Sequence, residues 1–154
     1  MNIEKENFLR TKLITFLHQL KTEEPARWGK MNVRQMIEHM VEVMMVANGK
    51  IKLPIVTPPE KLGSLRDFMM SEKPFRENTR SPVLGEEPAP LKKHTKEAAI
   101  GKLQEELIYF FEVFEKNPGL KTTHPVFGEL DFEMNVQILH KHALHHLRQY
   151  GVNV

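Results

Sequence analysis

Residues 139–151 read LHKHALHHLRQYG, and the placement of the histidines in this stretch decides the fold. Four of the chain's eight histidines fall here: His140, His142, His145 and His146. At about 100° per residue, His142 and His146 stand about 40° apart on one side of a helix. Ile138 and Leu139 continue that side one turn earlier. Two imidazoles on a core-facing stripe can share one metal ion, whereas a histidine-rich helix end can also be simply solvated. The first reading needs an opposing helix with a ligand of its own.

Upstream, the loop His124-Pro125-Val126-Phe127-Gly128 leads to Asp131, a suitable N-cap for this last helix, and Gly151 closes it. The helix before it starts after Thr95. Its Ile100, Leu103, Leu107, Phe110 and Phe114 are spaced 3, 4, 3 and 4, the repeat of bundle packing, and Asn117-Pro118-Gly119 ends it. Near the N-terminus, Phe8, Leu9, Leu13, Phe16, Leu17 and Leu20 form one stripe, with His18 on the solvent side. After Pro25 and Trp28-Gly29, Asn32 and Gln35 make a capping-box pattern that opens a second helix over Val33–Ala47. Between about residues 50 and 94 the periodicity fails. Seven of the ten prolines lie there, and only Glu60–Ser71 reads as a short helix. No strand-like alternation competes. The expected fold is all-α: one four-helix-bundle domain over 1–154, with a long crossover that makes helices two and three parallel.

Helix two supplies the facing ligand. With His39 as origin, Val46, Val43, Met36, Ala47 and Met40 all fall within about 100° of it, which puts the imidazole inside the apolar arc. A lone histidine there is ordinarily a core residue with a hydrogen-bond partner. Three neutral imidazoles meeting in a core cost on the order of 1–3 kcal/mol each without partners, and a shared cation removes that penalty. His39 lies near the start of helix two, and His142 and His146 near the end of helix four. If those helices are antiparallel, all three share one end of the bundle.

Composition narrows the chemistry. With no cysteine there is neither thiolate ligand nor thiolate nucleophile, so a metal must be held by nitrogen and oxygen. A net charge of +2, with no basic stretch interleaved with aromatics, argues against nucleic acid. The longest apolar run of helix two, Val43–Ala47, is far short of the ~20 residues of a membrane span. The start, MNIEKENFLRTKL, lacks the pattern of a secretion signal, so a cytoplasmic protein is expected.

PARWGKMNVRQMIEHM (residues 25–40), HPVFGELD (124–131) and HKHALHHLRQYG (140–151) together resemble the DinB-like (YfiT-like) superfamily of metal-dependent proteins. The resemblance covers most of the chain, within a branch marked by the His-Pro-x-Phe-Gly loop. It implies an up-down-down-up four-helix bundle whose metal triad is one helix-two histidine and a HxxxH pair on helix four, here His39, His142 and His146. It further implies a hydrolase, or a transferase using a low-molecular-weight thiol. Where many members carry arginine and glycine after the last ligand, this chain has Leu147-Arg148-Gln149. That departure places it in a branch of unassigned chemistry.

Further candidates are His145, read first as a surface-edge residue and otherwise as a partner to a ligand ring or as an alternative i, i+3 ligand with His142, and Gln149 and Gln35, each one turn from a ligand or else at the bundle rim. Trp28 and Tyr150 are expected in the pocket wall, Trp28 alternatively as a packing staple. His140 points away, and His124 is expected at the far end of helix four, fixing its loop. Glu38 and Glu42 read as a solvated edge. The ion is zinc, nickel, iron or manganese, since all accept imidazole. The partners expected are a small-molecule substrate and, as an open option, a second copy of the chain. The competing reading is a non-catalytic bundle that binds a metal or small molecule. Loss of metal is expected as pH falls through roughly 6, near the unperturbed histidine pKa.

Overall fold

A computed structural model describes residues 2–77 and 89–154. The part of the crossover at 78–88, with Pro82 and Pro88, lies outside the described residues. The chain is mostly helical. α1 (Ile3–Asn7), a π-helical segment (Phe8–Lys12) and α2 (Leu13–Gln19) form one continuous rod. Then come α3 (Val33–Ala47), α4 (Pro59–Met70), α5 (Lys96–Lys116) and α6 (Phe132–Gln149).

The all-α expectation needs one correction. Thr122–His124 (β1) and Gly128–Leu130 (β2) pair as an antiparallel hairpin between α5 and α6. Three-residue strands are too short to show an alternation. What forms the hairpin is its tip, where His124 Nδ1 accepts the backbone N–H groups of Val126 and Phe127 at 3.0 and 3.3 Å.

The caps read from the sequence are all present. Asn32 and Gln35 form the reciprocal capping box, Thr95 accepts from Ala98 N, and Asp131 accepts from Met134 N. The crossover helix begins at Pro59, one residue before the expected start, with proline in its first turn as that position favours.

Specific contacts fix how the rods run. Arg34 at the start of α3 donates to Lys93 O just before α5, while Asn48 at the end of α3 donates to Glu106 in the middle of α5. α3 and α5 therefore run the same way, and their packing is the most extensive in the fold. Arg10 lies over the Phe111 ring, and Lys96 Nζ donates to the last carbonyls of the first rod, so that rod opposes α5. Lys5 reaches Gln137 and Phe8 packs edge-on against His140, so the first rod and α6 run together. The main core joins these rods through Leu9, Leu13, Leu17, Met36, Ile37, Leu103, Phe110 and Leu147. A second, smaller core of Met69, Phe127, Leu130 and Ile138 fastens α4 and the hairpin to α6.

Two buried charges tie the layers. Glu106, fully buried, accepts from Asn48, Lys50 and Lys102 at 2.9–3.1 Å. Burial works against its charge, but these hydrogen bonds hold its pKa below the ordinary value. Lys141 Nζ donates to the carbonyls of Phe68, Ser71 and Lys73, closing the C-terminus of α4 against α6. Phe110 packs against Phe111, Phe114 and Phe132. Phe110→Ala is expected to lower stability by about 3–5 kcal/mol, read as a drop in denaturant midpoint at unchanged slope.

Candidate metal centre

α3 and α6 bring three imidazoles together. His39 Nε2 lies 3.3 Å from His142 Nε2, and His142 Nε2 lies 2.8 Å from His146 Nε2. One ligand-type nitrogen from each ring falls within 4.8 Å of the others. His39 and His142 are half-buried and His146 is buried.

His39 sits at the margin of the apolar arc of α3, not inside it as the helical pattern suggests. The residues buried on α3 are Val33, Met36, Ile37, Met40, Val41, Met44 and Ala47, whose mean direction points to α5. Val43 and Val46 flank His39 on the half-buried side. This margin is what a binding site requires. A ring in the centre of the arc would be sealed by α5, while one at its edge faces α6 and keeps a path to solvent.

The protonation pattern follows from a chain of hydrogen bonds. The Trp28 carbonyl can only accept, so the end of the Gln149 carboxamide 2.9 Å from it is the NH2 group. The opposite end, the carbonyl oxygen, lies 2.8 Å from His146 Nδ1. His146 must therefore donate from Nδ1, which leaves Nε2 as a bare lone pair aimed at His142 and His39. His142 Nε2 is the middle atom of two close contacts. With one in-plane site it can make a linear hydrogen bond along one of them, and the other is left unsatisfied in every neutral tautomer. A shared cation satisfies all three. Three nitrogens about 2.05 Å from one centre lie about 3.3 Å apart at tetrahedral angles and about 2.9 Å apart at right angles. The observed 3.3 Å equals the tetrahedral spacing, and 2.8 Å falls just under the right-angle one.

Burial lowers the basicity of each ring. The His39 pKa falls to about 4, the effect of burial opposed in part by Glu42. His142 and His146 are pushed well below the ordinary range by burial and by the neighbouring imidazoles. All three are thus neutral at pH 7, the form that ligates metal.

The remaining candidates separate by contact. Gln149 is buried and holds His146 directly. Gln35 does not reach the site, because its carbonyl oxygen accepts the Asn32 N–H in the capping box. His145 contributes none of the three converging nitrogens: its ring lies beside that of His146, 5.2 Å away, and also 5.4 Å from Trp28 and 5.7 Å from Phe75. It lines a cavity on the far side of α6 together with Trp28, as expected of the latter. Tyr150 belongs to the core instead of the wall expected for it, and its hydroxyl donates to Met31 O at 2.5 Å. His140 packs on Phe8, away from the three rings. Glu38 is an anchor, not a solvated edge: it accepts from Lys92 N and Lys93 N at 2.7 and 2.9 Å and fixes the entry to α5.

His124 is the largest correction. Its loop-fixing role is present, but it does not sit at the far end. The hairpin doubles back along α3, and His124 lines a narrow cleft of about 10 Å³ with His142, Val43, Val46 and Asn135. Burial lowers its pKa to about 4, and since Nδ1 accepts from the loop, the neutral ring carries its proton on Nε2.

Two residues at the site gave no sequence signal. Phe75, from the proline-rich crossover, stands 6.0 Å from the His142 ring. Gly29, at φ +79°, leaves room for Gln149, whose amide nitrogen would lie 2.9 Å from a Cβ there. Only a long-range fold brings either into place.

Comparison with known protein families, curated proteins and solved structures gave no match to this chain. Among the described residues, no helix is long and apolar enough to cross a membrane.

Gln149→Ala is expected to weaken zinc affinity by about 10–100-fold, by isothermal titration, with the helical circular dichroism retained. Without metal, the depressed histidines set the acid stability. Between their ordinary pKa of 6.5 and about 4, the unfolded chain binds protons that the folded one does not, so stability falls as pH falls through this window. The Tm of chelator-treated protein should drop from pH 7 to pH 5, and a flat Tm would contradict neutral, buried rings.

Proposed function

We propose that His39, His142 and His146 hold a divalent metal ion and that the protein is a metal-dependent enzyme, a hydrolase or a thiol-dependent transferase. The observation that carries this reading is the set of three close Nε2 atoms, of which no neutral tautomer can pair all three. Three neutral histidines without a carboxylate or thiolate leave coordination positions open, the pattern of a catalytic site and not of a closed structural one. Bound there, the ion supplies Lewis-acid polarisation of a substrate heteroatom.

The chain's own residues do the rest. Gln149 locks the ring orientation of His146 and increases its electron donation. His124 lines the same cleft as His142 and, with Nδ1 held by the loop, has its Nε2–H left as a donor for an oxygen placed there. Phe75 and the α3 valines Val43 and Val46 limit water around the three rings.

The same reading takes the long rods as an up-down-down-up four-helix bundle of DinB-like type. It is supported by the directions in which the rods run: α3 beside α5, and α6 beside the first rod. Zinc, nickel, iron and manganese are all admitted by an all-imidazole donor set.

The test is metal content of protein purified without chelator. Wild type should carry about one ion per chain, and the His39→Ala/His142→Ala variant should carry none. Retention by the variant overturns the ligand assignment. Because burial already lowers the ring pKa values, protons compete for the nitrogens less than for free imidazole. Metal should therefore stay bound below the pH of roughly 6 expected from an ordinary histidine and be lost toward pH 4. Equilibrium dialysis across this range checks the shift.

A further inference from the structure

On the other side of α6 from the narrow cleft lies a cavity of about 730 Å³, within the size range of small-molecule sites. Among the described residues, its wall carries five fixed cations, Lys5, Arg27, Lys73, Lys141 and Arg148, against the carboxylates of Glu72 and Glu77. Their engagements differ. Lys5 is held by Glu72 and Gln137, and Lys141 by three backbone carbonyls. Arg148 donates from Nε to Val154 O. Arg27 and Lys73 are exposed, and no carboxylate among the described residues pairs with either side chain. Room for the Arg27 guanidinium depends on Gly151, where a Cβ would lie 2.9 Å from its terminal nitrogen.

The cavity is also lined by aromatic rings. Trp28, His145 and Phe75 stand in sequence with centroids 5.4 and 5.7 Å apart. Phe75 is at the same time 6.0 Å from the His142 ring, and the His145 ring is 5.2 Å from that of His146. The wall that faces the basic residues therefore has the three-histidine cluster directly behind it.

We propose that this cavity binds a small organic anion, a phosphate monoester or a carboxylate with a flat apolar group. Its charged end lies among Arg27, Lys73 and Arg148, and its ring lies against Trp28 and Phe75. Like charges gathered around one cavity repel, and an anionic group relieves that repulsion, most effectively through the planar guanidinium forks. The aromatic wall takes the apolar part and directs the molecule toward the metal cluster. This deepens the proposed function and rests on it for the direction of approach, while binding of the anion itself needs only the cavity.

Trp28 is the chain's only tryptophan, so its fluorescence reports on this wall alone. The probe is phenyl phosphate, titrated against wild type, with phenol as the uncharged control. Saturable change with phenyl phosphate is expected, with phenol at least ten-fold weaker. Arg27→Gln/Lys73→Gln, two exposed positions whose exchange leaves the core untouched, should weaken phenyl phosphate at least ten-fold. Its unchanged Tm and circular dichroism serve as the folding control. In His142→Ala the phenyl phosphate affinity should stay within about three-fold of wild type. No saturable change in wild type, equal binding of phenol, or full affinity in the double variant each overturns the proposal. Zinc titration of the same samples separates the two readings: zinc bound without phenyl phosphate removes the anion cavity alone, and phenyl phosphate bound without zinc removes the metal centre alone.

Discussion

The electronic state of the site is set by a backbone carbonyl. Trp28 O accepts from the Gln149 amide, which forces the other end of that carboxamide to be an acceptor and so forces the proton of His146 onto Nδ1. A lone pair on His146 Nε2 therefore faces His142, which in turn faces His39, and no placement of protons on those two neutral rings pairs all three nitrogens. The segment between the first rod and α3 is thus part of the site, although none of its residues contacts the three Nε2 atoms. Gly29 belongs to the same device, since a side chain there would displace the carboxamide.

Long-range polar contacts hold the irregular segments against the rods. Lys96 satisfies the last carbonyls of α2, and Lys141 those of α4. Each lysine is buried and answers the negative end of a helix with charge and hydrogen bonds together. Glu106 clasps the end of α3 by accepting from the Asn48 side chain. These contacts matter for function because they place the crossover. Lys141 draws the end of α4 onto α6, and a few residues later the chain delivers Phe75 to the space between the histidine cluster and the basic cavity.

His39, His142 and His146 were legible as a group because helical spacing and helix direction are local properties. Two rings four residues apart share a face whatever surrounds them, and a short connection between rods one and two constrains the rest. Gln149 was legible for the same reason, one turn from His146. Contacts across the fold are not legible in this way. A helical wheel puts His39 inside its apolar arc because it shows which face is apolar, not which neighbour covers it. α5 takes the centre and leaves the margin to α6. The 11 residues from Asp131 to His142 put His124 a helix length away by sequence, yet the hairpin folds back along α3 and returns it to the cleft that His142 lines. Gln35 and Tyr150 sat at suitable spacing but were claimed by nearer backbone partners, Asn32 N and Met31 O.

By itself, the amino-acid sequence determined the rods, their caps, the helix faces bearing the three histidines and the absence of any thiolate ligand. These depend on residue type and on spacing within one element, where the backbone imposes its own geometry. Tertiary structure alone decided which margin of α3 meets α6, that His124 returns to the cleft, and that Phe75, Trp28 and the arginines gather on the far side of the last helix. Those outcomes depend on closing loops of many residues, and many chain paths are compatible with one local pattern until packing and buried charges select among them.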